Sequence, residues 1–239
     1  MEYTILHVSS IDSTNTALKQ KAREGAPDGT VLVADMQSAG RGRLGRSFYS
    51  PIESGLYVSI LLRPTFSIAP AHLTCLAAVA VADAIESYGK ECSIKWVNDI
   101  WCTDKKAGGI LTEGALRPDG TMEFAVIGIG VNLTVPSFVP DTLKNVLTGV
   151  FERADLTLRD EFLERLLERI SIYYNALPCV TFWEKYNTLQ NCFGKKVFFQ
   201  DASKKRIGIA QSIDRQFRLI VRSEDKYYAL ERGEVTFES

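Results

Sequence analysis

Histidine is almost missing from this chain: His7 and His72 are the whole supply among 239 residues, and no His-Glu-x-x-His pattern joins them. A catalytic metal held by protein side chains is therefore not expected, and both are read as structural or surface residues. Cysteine is present but without pattern. Cys75, Cys92, Cys102, Cys179 and Cys192 are odd in number and form no Cys-x-x-Cys pair, so neither a zinc knuckle nor a disulfide framework is indicated. No stretch approaches the roughly 18 uncharged apolar residues of a membrane helix. The opening Met1-Glu2-Tyr3 is not a basic segment leading into an apolar one. A soluble, cytoplasmic protein is expected. An excess of one charge is also lacking, with 28 Lys and Arg against 29 Asp and Glu. Duplex binding rests on clustered cations, so a broad nucleic-acid surface is not expected.

What is present is enough apolar material for a full core, 46% of residues. Residues 3 to 9 read as a strand, and Ser13 offers an N-cap to a helix reaching Arg23, where Gly25 and Pro27 stop it. Thr30 to Met36 and Leu56 to Leu62 read as strands separated by a glycine-rich loop from Gln37 to Gly55. Connections of that length are often functional. Residues 69 to 88 form an apolar helix closed by Gly89. From Ser93 to Asn132 short strands are expected, with turns at Asn98-Asp99, Thr103-Asp104 and Pro118-Asp119-Gly120. They point to a mixed or antiparallel sheet covered on one face by helices.

Thr157 and Asp160 have capping-box spacing ahead of a helix that Pro178 ends, and a shorter helix covers Phe182 to Leu189. From about Cys192 five closely spaced strands (196–199, 207–213, 218–221, 227–230 and 234–237) suggest a small barrel. The expected class is α+β, with a catalytic domain over 1–190 and a small β-barrel over 191–239. That tail carries ten Lys and Arg against seven Asp and Glu, which a solvated basic face explains.

The densest chemical signal is Gln37-Ser38-Ala39-Gly40-Arg41-Gly42-Arg43-Leu44-Gly45-Arg46. Glycines let a backbone approach a ligand, and guanidinium forks pair with carboxylate or phosphate oxygens, so the loop is built like an anion clamp. Gly40-x-Gly42-x-x-Gly45 matches the dinucleotide fingerprint in letters alone. It opens no helix and has no acidic residue about twenty positions on. A Walker loop is absent as well. The bland alternative is a solvated basic loop. A second cluster is Lys95-Trp96-Val97-Asn98-Asp99 with Lys105-Lys106-Ala107-Gly108-Gly109-Ile110-Leu111-Thr112-Glu113. Hairpin structure accounts for Asn98-Asp99, but glycines beside Lys106 are poor strand formers unless a ligand or another backbone comes close. The third is Ile127-Gly128-Ile129-Gly130-Val131-Asn132, whose alternate glycines serve either packing or the floor of a pocket.

Ser13-Thr14-Asn15 and these three clusters appear in an order and spacing that resemble the biotin protein ligase family across essentially the whole chain, and the tail is similar to that family's SH3-like domain. The resemblance implies a biotin–[acetyl-CoA-carboxylase] ligase activity. Biotin and ATP would form biotinyl-5'-AMP and pyrophosphate, and the biotin would pass to a lysine of a biotin carboxyl carrier protein, with Mg2+ expected. It implies biotin contacts from Ser13, Thr14, Asn15, Gln37, Gly40, Arg41, Lys106, Gly109, Gly128 and Gly130. Nucleotide contacts are implied for Arg41, Arg43, Arg46, Phe48, Asn98, Lys106 and Asn132. Lys106, Arg41, Arg43 and Asp99 would be catalytic, with Asp99 beside the incoming lysine.

Two positions depart from the family's habit: Val97 stands where many relatives have proline, and Phe48 lies near where some carry a tryptophan packed by adenine. With twelve residues before Ser13, the DNA-binding domain of the regulatory members is not expected, nor is specific DNA binding. A lipoate or octanoate transferase of the same fold and a non-catalytic biotin sensor are the alternatives. Family members include monomers and dimers, so a homodimer is compatible with the resemblance.

Overall fold

The structure, a computed structural model, describes all residues except 178, 180, 202–203, 232–235 and 238–239. Strands β1 (Thr4–Ile11), β2 (Thr30–Gln37), β3 (Gly55–Leu62), β4 (Ser93–Lys95), β5 (Asp99–Cys102), β6 (Lys105–Leu116) and β7 (Met122–Asn132) form one sheet in the order β1-β2-β3-β7-β6-β5-β4. Strands β1 and β2 run parallel, and helix α1 (Thr14–Arg23) makes the crossover between them. The remaining pairings are antiparallel. This is the mixed α+β sheet expected.

Strand alternation sends successive side chains to opposite faces, and the two faces have different fates. Val31, Val33, Ile60, Leu62, Ile127 and Ile129 join helices α2 (Pro70–Glu86) and α3 (Leu156–Asn175) in the main core. Helix α2 carries 12 buried residues out of 17, apolar nearly all round, because it lies between the sheet and α3. Leu32, Leu61, Phe124 and Val126 point the other way and pack with Leu18 and Ala22 of α1. Helices thus cover both faces, not the single face expected, since α1 returns over the sheet opposite to α2. The α1 side is small, and beyond the N-terminus of α1 its apolar core gives way to a cavity.

Two further expectations are corrected. β6 and β7 are long strands of 12 and 11 residues joined at the Pro118-Asp119-Gly120 turn; the continuous ladder between them overrides the poor strand propensity of their glycines. Helix α3 is capped by Asp155, whose carboxylate accepts from Leu158 N at 2.9 Å, so Thr157 and Asp160 lie inside the helix instead of forming its capping box. It ends at Asn175; Pro178 lies outside the described residues. Helix α4 (Trp183–Thr188) follows.

The tail folds as a second antiparallel sheet of β8 (Lys196–Asp201), β9 (Lys204–Ile213), β10 (Leu219–Ser223), β11 (Lys226–Leu230) and β12 (Thr236–Phe237), in the order β11-β10-β9-β8-β12. Among the described residues no ladder joins β11 to β12, so this is a five-stranded sheet and not a closed barrel: β12 gives two residues to β8 and none to β11. Its inner residues Val197, Phe199, Ala210, Leu219 and Val221 belong to the main core.

The contact that positions the site comes from the β9–β10 turn. Phe217 is buried, stacks on Phe182 at 5.4 Å, meets Tyr186 edge-on at 5.4 Å, and accepts from Trp96 Nε1 at its carbonyl, 3.0 Å away. Tyr186 donates to Val97 O at 2.9 Å. The hairpin turn from Trp96 to Asn98, whose Trp96–Val97 peptide is cis, is therefore gripped from behind by α4 and the second sheet.

The capping geometry is testable. Asp155→Ala should lower unfolding stability by about 1 kcal/mol, whereas Thr157→Ala should stay within about 0.5 kcal/mol. Urea denaturation of the two variants measures both; a larger loss at Thr157 would restore the capping box.

Candidate active site

The cavity on the α1 face has a volume of about 190 Å3. Its floor is laid by the register of β6 on β7, which pairs Gly109 with Gly130 and Leu111 with Gly128 on one face. A methyl group added at Gly128 would collide with the amide of Asn15, and one at Gly130 would come within 2.5 Å of the Phe48 ring. The alternate glycines do both jobs that the sequence left open: they line the cavity, and they admit Asn15 from one side and Phe48 from the other.

One wall is the N-terminus of α1. Ser13, Thr14 and Asn15 are buried, three polar residues in a row, and burial of this kind requires hydrogen-bond partners. Ser13 caps the helix by accepting from Thr16 N. Gln37 Oε1 accepts from Thr14 N at 2.9 Å and Thr14 Oγ1 at 3.1 Å, while Gln37 Nε2 donates to Ser50 Oγ at 3.0 Å. Ser59 Oγ lies 2.8 Å from Thr14 Oγ1 and donates to Asn15 Oδ1 at 2.6 Å. These bonds fix the wall before any ligand arrives.

The roof is the arginine loop. A bridge between Arg41 and Ser47, Gly42 N donating to Arg46 O at 2.7 Å, and Phe48 N donating to Gly40 O at 2.8 Å fold it into a tight excursion. Its tip, Arg43–Gly45, makes a short 3-10 turn, and the exposed Leu44 there adopts φ 56°. Gly40 is buried where a methyl would strike Phe48 O and Ser50 Oγ, so it fixes the base of the loop.

The cavity lining is rich in cations, and several of them meet an oxygen acceptor. Lys106 Nζ donates to Asp99 Oδ1 at 2.7 Å. Arg43 donates to Asn98 Oδ1 at 3.1 Å, and Asn98 Nδ2 donates to Ile110 O at 3.0 Å, locking the hairpin onto β6. Burial lowers the Arg43 guanidinium from its ordinary value, with the Asp99 charge working the other way. Arg41 Nη1 lies 3.1 Å from Glu113 Oε1. Lys95 rests over the Trp101 ring at 5.1 Å, and burial lowers its ammonium, opposed by Asp99 and reinforced by Lys195 and Lys106.

Of the residues expected from sequence, Ser13, Thr14, Asn15, Gln37, Arg41, Arg43, Arg46, Phe48, Asn98, Asp99, Lys106, Gly109, Gly128 and Gly130 line this one cavity. Gly40 sits behind the loop. Asn132 is outside the lining; it is buried at the end of β7 and donates to Thr148 O at 3.2 Å, anchoring the segment that follows. Lys95, Trp96, Leu44, Ser47, Ile110 and Ile129 line the cavity without having been assigned roles. Glu113 also escaped assignment, although it closes the motif that begins at Lys106; its strand register, two residues beyond Leu111 on the glycine face, was the available signal.

Fold and cavity together define a protein whose mixed sheet floors a cavity with glycines beneath an arginine-bearing loop. A profile of the biotin/lipoate A/B protein ligase family matches residues 8–132, and the chain belongs to that family. It is 39% identical over 192 residues to the bifunctional ligase/repressor BirA of Bacillus subtilis, covering 76% of this chain and 59% of that protein. The chain thus spans about three-fifths of that relative's length. It is 30% identical to the biotin–[acetyl-CoA-carboxylase] ligase of Mycobacterium tuberculosis, over 95% of this chain and 86% of the other. Among solved structures, a biotin protein ligase from Aquifex aeolicus in complex with biotin and ATP matches with a TM-score of 0.82 at 28% identity, covering 98% of each chain.

The seat of Phe48 on Gly130 yields a prediction. Gly130→Ala should destabilise by about 1–3 kcal/mol through overpacking. In a Phe48→Ala background most of that loss should vanish, a coupling of about 0.5–3 kcal/mol. Urea titration of the four proteins measures the cycle, and simple additivity would show that the ring is not what the alanine meets.

Proposed function

We propose that this protein is a biotin protein ligase, which joins biotin to AMP and then delivers it to a lysine of a biotin carboxyl carrier protein. The observation that carries the reading is the convergence of Arg41, Arg43 and Lys106 with Asp99 on a cavity floored by Gly128 and Gly130. The names of the relatives agree with it.

In the first step a biotin carboxylate oxygen attacks the α-phosphorus of ATP and the bond to pyrophosphate breaks. Both reactants are anions, so fixed cations must lower their repulsion and stabilise charge that grows in the transition state. Lys106, Arg41 and Arg43 are assigned that work. Ser13, Thr14, Asn15, Gln37, Gly109, Gly128 and Gly130 are assigned to biotin. Arg46, Phe48 and Asn98 are assigned to the nucleotide, and Gly40 to the shape of the roof. Asn132 is kept on the nucleotide side, reached beyond the cavity proper. Mg2+ would be carried largely by phosphate oxygens, since Asp99 is the one carboxylate among the lining residues and is bound to Lys106. The described residues hold no cluster of three or more metal-binding side chains.

In the second step the carrier's lysine amine attacks the mixed anhydride and AMP leaves. An ammonium must first lose a proton. When Lys106 turns to the substrate anions, Asp99 loses its partner, and it is then placed to orient the incoming lysine or accept its proton. The ion pair couples the two steps in the right order.

The division into 1–190 and 191–239 is retained as two functional parts that share one core. Residence in the cytoplasm is consistent with five free cysteines and with the absence, among the described residues, of a helix long and apolar enough to cross a membrane.

Incubation with biotin, ATP, magnesium and a carrier domain should place biotin on one carrier lysine, detected by mass spectrometry. Preferential transfer of octanoate or lipoate would move the protein to the other branch of its family. Pyrophosphate release without transfer would leave a non-ligating role. Lys106→Met should lower the rate of pyrophosphate release by about 100- to 1000-fold. Arg43→Ala should stay folded yet lose the activated intermediate faster, seen as free biotinyl-AMP in the filtrate; unchanged retention would count against the roof as a clamp.

A further inference from the structure

Glu113 has no place in the reaction just described, yet three side chains beside the cavity converge on its carboxylate. Its side chain is only 20% exposed. Lys19 Nζ reaches Oε1 at 2.6 Å, Asn15 Nδ2 reaches Oε2 at 3.1 Å, and Arg41 Nη1 lies 3.1 Å from Oε1 and 3.3 Å from Oε2. Asn15 and Lys19 stand four residues apart on α1 and so present side chains to the same face. That face looks onto β6, where Glu113 follows Leu111 by two residues.

The three partners are not equivalent. Asn15 is buried and Lys19 is 18% exposed at its side chain, whereas Arg41 is 46% exposed and arrives from a loop. Two of the contacts are thus built into the fold and the third is brought by the roof. Burial alone would raise the Glu113 carboxyl, but hydrogen bonds from Lys19 and Asn15, with the charges of Lys19 and Arg41, hold it below its ordinary value. If Arg41 leaves, the carboxylate keeps a cation and an amide. It is not stranded, and stranding is what makes breaking a buried ion pair costly.

We propose that Glu113 is a positioning residue that holds Arg41 at the cavity rim in the empty protein, and that Lys19 makes the hold exchangeable, so that Arg41 passes from Glu113 to the anionic reactants as they bind. The transfer rests on the function proposed above; the hold itself does not. Asn15 ties the two ends together, because its Nδ2 bonds Glu113 while its Oδ1 accepts from Ser59 beside Thr14. A ligand that contacts the Thr14–Gln37 wall therefore lies beside the same residue that steadies Glu113.

The test uses the 239-residue chain in two arms. In the first, without ligand, amide hydrogen exchange of residues 40–48 is followed by mass spectrometry. Glu113→Gln should raise exchange there about tenfold, and Lys19→Met, which leaves Arg41 as the sole cation on the carboxylate, should lower it. No response in either variant overturns the hold. In the second arm, KM for ATP is taken from pyrophosphate release at saturating biotin. Lys19→Met should raise it about tenfold with a smaller change in kcat, Lys19→Arg should restore it, and the effect should disappear in an Arg41→Ala background. Persistence of the Lys19→Met effect without Arg41, or a fall in kcat with KM unchanged, would reduce Lys19 to a structural residue and overturn the transfer. Failure of the unsubstituted protein to release pyrophosphate would overturn the function reading and the transfer with it, while the exchange arm would still decide the hold.

Discussion

Like charges crowded into one small cavity repel each other, and the structure around this site is organised by that constraint. Arg41, Arg43, Arg46, Lys95 and Lys106 all line it. At a few ångströms' separation each unneutralised pair would cost on the order of several kcal/mol in a partly buried setting. Three of the cations meet oxygens from three elements: Glu113 on β6, Asn98 in the hairpin turn, and Asp99 opening β5. None of these partners is deeply buried. Under the function proposed above, such partly exposed, hydrogen-bonded contacts hold the cations in place and still release them to an incoming anion at small net cost.

The sheet supplies the geometry those pairs require. Lys106 and Glu113 lie on the same strand, and the antiparallel pairing of β6 with β5 sets Asp99 opposite Gly109, where it meets Lys106. A methyl group at Gly109 would rest in ordinary van der Waals contact with the ion pair, 3.4 Å from Lys106 Nζ and 3.5 Å from Asp99 Oδ1. Glycine is required more strictly on β7, where a methyl group at Gly128 would collide with the Asn15 amide and one at Gly130 would lie 2.5 Å from the Phe48 ring.

The arginine loop could be read from composition, whereas the rest of the expected lining came with the resemblance to the biotin protein ligase family. Three guanidinium groups and three glycines within seven positions have few structural uses other than anion contact, and Arg41, Arg43 and Arg46 do line the cavity. What could not be read depended on register or on choice between near neighbours. Thr157 and Asp160 satisfy capping spacing, but Asp155 two residues earlier reaches the free amide first. Helices on both faces of the sheet follow from where Leu18 and Ala22 of α1 come to rest, and periodicity alone does not say which face a crossover helix covers. Glu113 stood inside a recognised motif, yet its partners Asn15 and Lys19 are nearly a hundred residues away. Asn132 shows the opposite case: the last residue of the glycine-bearing strand, it turns to Thr148 and lies outside the cavity lining.

A site assembled from exchangeable bonds needs a backbone that does not exchange. The hairpin bearing Asn98 and Asp99 has little core of its own, since β4 and β5 contribute three and four residues. Its rigidity is imported. Trp96 bonds to the carbonyl of Phe217, Tyr186 bonds to the carbonyl of Val97, and the stacked rings of Phe182 and Phe217 fill the space behind. Supporting contacts of this kind hold functional groups within a fraction of an ångström of working geometry. The second sheet, although none of its described residues lines the cavity, therefore steadies the hairpin that carries Asn98 and Asp99. Disturbing Phe217 would loosen Asn98 and Asp99 together, and with them the hydrogen bonds that hold Arg43 and Lys106.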